Sequence, residues 1–474
     1  MRSDTPMFPR GLPTMRPLVL CLAASLVGAP LQISAAPLPV AAPPDLIRPA
    51  AAIAPSSPQA STRVVTNCND TGAGSLRDTI GAALSNDTVD LSQLSCSRIT
   101  LASGQIVFGQ ANLAIVGPGA GRLTIDGGLN GGVLVALGGG TLQVRDVTIE
   151  NGFKYRTDAH ALGGCIQAQG NAIIRQVLLR NCSALSTGNR SALGGAVWTG
   201  GQLVLHHSVV TGSMAKATGW GYASGGGIYA HDSVDVEYST ISNNVAISES
   251  ATPSFGGGML AWNGGIILGS TISGNQAAVS GGLHLIGAAA SQVTVLNSTV
   301  SGNVANRVGG IFAKVPLTLN NSTVAFNTSH QWDSGSGYSF AAGVHITVSG
   351  TLNSTIISNN LNTGAPAQFA SADLAGKVGA GMMGGHNAVG LCLAPCPNDT
   401  SHDDPGLHPL QDNGGATRTH MPTPGQWDVL SGSNVSGWPW DQRGVGFPRQ
   451  SPGDWLEIGA VQVNSDIIFA NGFN

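Results

Sequence analysis

The chain has 474 residues, and its 67 glycines are about twice the usual share. Charged residues are only 10% and the net charge is −4, which leaves no basic field for nucleic acid and no acidic tract for a solvated tail. The 42% hydrophobic fraction suffices for a core, so general disorder is excluded. A long helical bundle is excluded for want of Ala, Glu, Lys, Leu and Arg.

Leu18 to Gly28 is an apolar run preceded by Arg10 and Arg16 and followed by small residues around Ala35. It reads as a signal peptide over 1–35, too short to span a bilayer. Leu20 stands where lipid attachment at Cys21 would want a small residue. Residues 36–62 are rich in Pro and Ala and read as an extended linker. No later stretch is long and apolar enough for a membrane span, so the mature chain is expected outside the inner membrane, extracellular or on the outer surface rather than periplasmic.

In the next segment, 63–98, Ser75 and Asp78 form a capping-box-like start for a short helix, with Leu76, Ile80 and Leu84 on one face. Such a helix would seal the open end of a solenoid.

Residues 99–375 carry a repeat. Gly164, Gly195, Gly226 and Gly257 recur every 31 residues, and Gly282, Gly310 and Gly343 continue at 25, 28 and 33. A second segment follows each opening after about a dozen residues: STISNN, STISGN, STVSGN, STVAFN and STIISN. Both alternate apolar and polar residues, the period of a strand. Short strands with Gly or Asn corners at this spacing describe the coils of a right-handed parallel β-helix, a solenoid of the pectate-lyase kind. Ile241, Ile272, Val300, Val324 and Ile356 are expected to stack inward, and Asn244, Asn275, Asn303, Asn327 and Asn359 to stack at a corner, where Asn tolerates left-handed backbone. Residues 376–463 lose the repeat and read as an irregular C-terminal cap, followed by a tail over 464–474.

Six cysteines remain after the signal: Cys68, Cys96, Cys165, Cys182, Cys392 and Cys396. An even count in an exported chain favours disulfides. Proximity pairs them in that order, among fifteen possible connectivities, with buried free thiols the alternative.

Two groups of residues bear on function. Asp235 and Glu237 share a strand face near His231 and form the candidate acid pair of a glycoside hydrolase or polysaccharide lyase, or else a solvated strand face. No neighbouring coil repeats an acid there; Leu205 and Ile267 stand near. The other group is a column one residue past the inward position of each opening segment: Gln167, Trp198, Tyr229, Leu260, His284, Phe312 and His345, with His231 and Trp262 two residues further on. These side chains point outward, where they suit contact with a sugar or protein surface, unless a loop or the linker folds over them. The insertions 153–162, 189–193, 215–224 and 247–255 flank this face and supply either a cover or a rim. No His/Cys spacing matches a zinc site, so no metal or cofactor is expected.

The segment Asn69 to Ile80 (NDTGAGSLRDTI) resembles the N-terminal Ser-Leu-Arg-Glu-Ala-type motif of exported bacterial β-helix proteins. DPGLHPLQDNGGATRTH from Asp404, WDQRGVGFPR from Trp440 and EIGAV from Glu457 are similar to the choice-of-anchor family. The Gly-Gly openings bear a distant similarity to polymorphic outer-membrane adhesins. The resemblance implies an exported, surface or extracellular β-helix; the outward ladder with few charges points to an adhesin-like or glycan-contacting protein, expected to be a monomer, with polysaccharide or a host or cell-surface protein as partner. The resemblance hands over no catalytic residue. A β-helix lyase or hydrolase and a structural surface scaffold are the alternatives.

Overall fold

The computed structural model describes residues 60–463, apart from 250–251, 289, 333–339, 378–379, 394, 424–431 and 450–455. The signal segment, nearly all of the linker and the tail lie outside the described residues.

The repeat closes into a right-handed parallel β-solenoid. One coil runs Val197–Thr199 (sheet 1), Leu203–His206 (sheet 2), Val209–Thr211 (sheet 3), Met214–Ala217 (sheet 4) and Ala223–Ser224 (sheet 5) before re-entering sheet 1 at Ile228–Ala230. Among the described residues sheets 1, 2 and 3 hold 11, 12 and 12 strands, sheet 4 holds 8 and sheet 5 holds 3. Each strand pairs in parallel with its equivalent on the next coil, so like residues stack along the axis. Ile174, Leu205, Val236, Ile267, Val295, Leu319 and Leu352 form one such inward column, all fully buried. Burial of each such side chain stabilises by about 1.5–3 kcal/mol.

Strand pairing begins at Thr62–Val64 and continues to Thr400–Ser401, beyond the expected 99–375 span at both ends. The single α-helix among the described residues is Leu76–Ala82; Ser75 caps it by accepting from Asp78 N, and Leu76 and Ile80 are buried. Leu84, expected on the same face, falls past the helix end and is exposed. Cys68–Cys96, Cys165–Cys182 and Cys392–Cys396 are the disulfides.

The sequence columns slip in three places. Gly257 stacks on Gly281, not Gly282, because that coil is seven residues shorter, all of them lost between its sheet 4 strand and the next strand of sheet 1. In STIISN, Ser354 is the left-handed corner residue between sheets 2 and 3 (φ 47°). Thr355 therefore takes the serine column, and the stacked residues are Ile357 and Asn360, not Ile356 and Asn359. The asparagine column itself does not carry the left-handed backbone. That falls one residue earlier, at Asn243, Gly274, Gly302, Phe326 and Asn359. The column residues instead point inward and bond to one another: Asn244, Asn275, Asn303 and Asn327 each donate from Nδ2 to the next Oδ1 at 2.8–3.0 Å, and Asn360 ends the run on Asp373 Oδ1 at 2.7 Å.

The glycine openings let backbone meet backbone. A Cβ on Gly195 would overlap the Gly226 carbonyl and the Met214 main chain. This close approach seats the turn between sheets 5 and 1 against the first residue of the sheet 4 strand.

Candidate functional site

The outward residues of sheet 1 stack in register as expected: Gln167, Trp198, Tyr229, Leu260, His284, Phe312 and His345. The insertions do not leave this ladder open. Ala161–Leu162, Ala192–Leu193 and Ala223–Ser224 pair as sheet 5, and Phe255 and Val308 extend its line through isolated bridges. The result is a wall beside the ladder. Leu162, Leu193 and Phe255 pack from it onto the Trp198–Tyr229–Leu260 stretch.

The lower half of the ladder is closed. His284, Phe312 and His345 stack ring on ring at 5.1 and 5.3 Å, with Phe255 tilted against His284 and Phe340 against His345. Lys314 Nζ sits 5.7 Å above the Phe312 ring. Ser280 Oγ and His284 Nδ1 share a 2.9 Å hydrogen bond. Burial, reinforced by the Lys314 charge, lowers the His284 pKa to about 3. The imidazole is therefore neutral at physiological pH and packs as an aromatic ring.

The middle of the ladder opens into a cleft of about 340 Å³. Tyr229 and Leu260 form its floor, Leu193 and Phe255 its wall, and Trp262 and Ile286 its lower lip. Trp262 Nε1 donates to Tyr229 Oη at 3.0 Å, and His231 stacks on Trp262 at 5.8 Å. Burial raises the Tyr229 phenol above its ordinary value, so it stays protonated. Ser191, Ser224, His284 and Lys314 add polar groups to the lining, and Tyr222 leans over the rim against Phe255. Flat apolar faces with a few fixed polar groups are what a sugar ring requires. Trp198 does not line this cleft, and Gln167 lies beyond it. Phe255 and Tyr222 were not singled out in the sequence, because the equivalent places on earlier coils hold Leu193 and Ser191 rather than aromatics.

Asp235 and Glu237 lie on the outer face of sheet 2. Their neighbours across the coils are Val204 and Ile266, and His206 and Leu268, one place off the expected Leu205 and Ile267. The imidazole that meets the acids is His206, not His231: its Nε2 lies 3.2 Å from Asp235 Oδ2 and 3.9 Å from Glu237 Oε2. Among the described residues this is the one group of three or more His, Cys, Asp or Glu whose ligand-type atoms lie within 4.8 Å of one another. Spacing along the sequence pointed to no metal site, because a 31-residue coil separates His206 from Glu237. Ligand-type atoms this close could hold a divalent cation, or form no more than a half-buried cluster of one histidine and two carboxylates.

A larger hollow of about 660 Å³ lies between sheet 3 and the C-terminal module, lined by hydroxyls such as Thr240, Ser242, Ser273 and Ser301 together with Asp412 and Arg418. It contains no residue of the ladder and none of the Asp235 group.

No protein-family model, curated protein or solved structure matches the chain.

Proposed function

We propose that the protein is an exported, non-catalytic β-helix that contacts glycan through the cleft between sheet 1 and its wall. The observation that carries this reading is the cleft of about 340 Å³ in which the buried Tyr229 and Leu260 form the floor, Phe255 the wall and the half-buried Trp262 the lip. A space of that size suits one or two sugar rings, whereas a stable protein interface buries roughly 800 Å² per partner. The signal-like N-terminus and the similarity of residues 404–461 to choice-of-anchor proteins support a place at the cell surface and an adhesin-like role.

A second reading, a β-helix lyase or hydrolase, draws on the His206–Asp235–Glu237 group. Its carboxylates are close to the ~5 Å at which an acid and a nucleophile work as a pair.

Mature protein from about Ala36, screened on a panel of plant and bacterial polysaccharides with and without calcium, separates the two. Binding without depolymerisation is the expected result. Release of reducing or unsaturated sugars, abolished by Asp235→Asn or Glu237→Gln, would replace the first reading by the second.

A further inference from the structure

Lys154 belongs to Phe153–Arg156, the first strand of sheet 4, so one edge of that strand has no partner strand. The residue is only 3% exposed. Among the described residues its ammonium makes one hydrogen bond, 2.7 Å to the neutral Gln105 Oε1, and no ion pair. The charge that acts on it is another cation, Arg156, and burial and that repulsion together lower its pKa to about 8. The carboxylates that could have served are engaged: Asp70 with Arg77 and Ser103 N, Glu150 with Arg98 and Arg180. An ammonium has three donors, so two are left without a protein acceptor.

A buried cation without a counter-charge is costly. This one borders a cleft of about 410 Å³ that also takes in Gln105, Arg156 and the parallel rings of Phe153 and Tyr155, and no acidic side chain lines it.

We propose that this cleft binds an oxyanion carried on a sugar, paired with the Lys154 ammonium and the Arg156 guanidinium. The shared chemistry is the oxyanion; a uronate carboxylate, a sulfate ester and a phosphate ester each present it. The site shares no lining residue with the aromatic cleft, so it stands or falls apart from the glycan reading of that cleft.

The test is calorimetric titration of the full mature chain with galacturonate, inorganic sulfate and inorganic phosphate, against chloride. Saturable binding of at least one oxyanion is expected, the tightest naming the source, with chloride not competing. Lys154→Met should weaken it about tenfold and Arg156→Gln, at an exposed position, about threefold. If Lys154→Met does not fold, Arg156→Gln and the ¹⁵N shift of the Lys154 ammonium on adding oxyanion decide. No binding by any of the three, equal competition by chloride, or affinity indifferent to the folded variants would each overturn the proposal.

Discussion

Asp373 shows how one side chain ends a structure that is otherwise made of identical parts. Its Oδ1 accepts from both the backbone N and the Nδ2 of Asn360, and its Oδ2 from Leu391 N. It supplies the acceptor that the next asparagine would have supplied. A carboxylate does this at a cost, for burial pushes its pKa up to about 7 from the ordinary 3.8. A folded-state value above the unfolded one means that Asp373 favours folding fully below about pH 4 and loses that advantage as pH rises through about 7. Asp373→Asn abolishes the titration. The melting temperature of the variant relative to wild type should therefore climb as pH is raised from about 4 to 8. Parallel curves would show that the carboxyl does not titrate in that window. Glu457, also raised to about 7 by burial, is present in both proteins and drops out of the difference. The sequence did not single out Asp373, since it breaks the asparagine pattern and belongs to a strand of sheet 1. The outward ladder from Gln167 to His345 was legible residue by residue, because the strand period fixes which side chains point out.

At the scale of the element, the coil is held by two kinds of contact with different tolerance. The aliphatic columns need only volume. The amide column needs a particular group at every level: Asn303 Oδ1 accepts from Asn275 N and Nδ2, while its own Nδ2 donates to Asn327 Oδ1 and Ile272 O. Asn303→Ala leaves several buried groups unpaired at once, each worth ~1–3 kcal/mol. A loss of about 3 kcal/mol in denaturant unfolding is expected. Ile272→Val, which trims one methyl from the adjacent aliphatic column, should cost ~0.5–1.5 kcal/mol. Equal costs would mean that the amide ladder adds nothing beyond packing. The existence of both columns was readable from the repeat, but their last members were not. Letter matching joined Ser354 to Ser322, whereas the chain had already spent Ser354 on a left-handed corner. Coil length is set by the stretch between sheet 4 and sheet 1, and the Gly257–Gly281 coil shortens there.

Across the whole molecule, the segment after residue 401 does more than follow the last coil. It runs back along the outer face of sheet 3, bonding Thr271, Thr299, Ser301 and Thr323 through Arg418 O, Gln442, His420 and Ala460 N. The segments from Asp404, Trp440 and Glu457 thus have structural work in this chain. Arg449 is the most enclosed of their side chains. Its Nη2 donates to Asn297 Oδ1 and to the carbonyls of Gly459 and Ala460. Arg449→Met should orphan those acceptors and loosen the module by about 3 kcal/mol. In limited proteolysis, cleavage within 404–463 should then precede any cleavage of the sheets. Simultaneous loss of both would mean that the module and the solenoid fold as one cooperative unit. What the sequence left unreadable at this scale is lateral contact: the module on sheet 3 has no periodic signature, the wall on sheet 1 repeats every 31 residues without showing where it packs, and the aromatic cleft exists only because the wall does.

The most direct test of glycan contact is a titration of mature protein with the tightest-binding oligosaccharide from the polysaccharide panel, wild type beside Trp262→Ala. Trp262 is half-buried at the lip and donates its indole N–H to Tyr229. The predicted result is an affinity loss of about tenfold, the worth of one aromatic platform, in a variant that stays folded with a lowered melting temperature. An oligosaccharide that binds the variant as tightly as wild type would contradict the account.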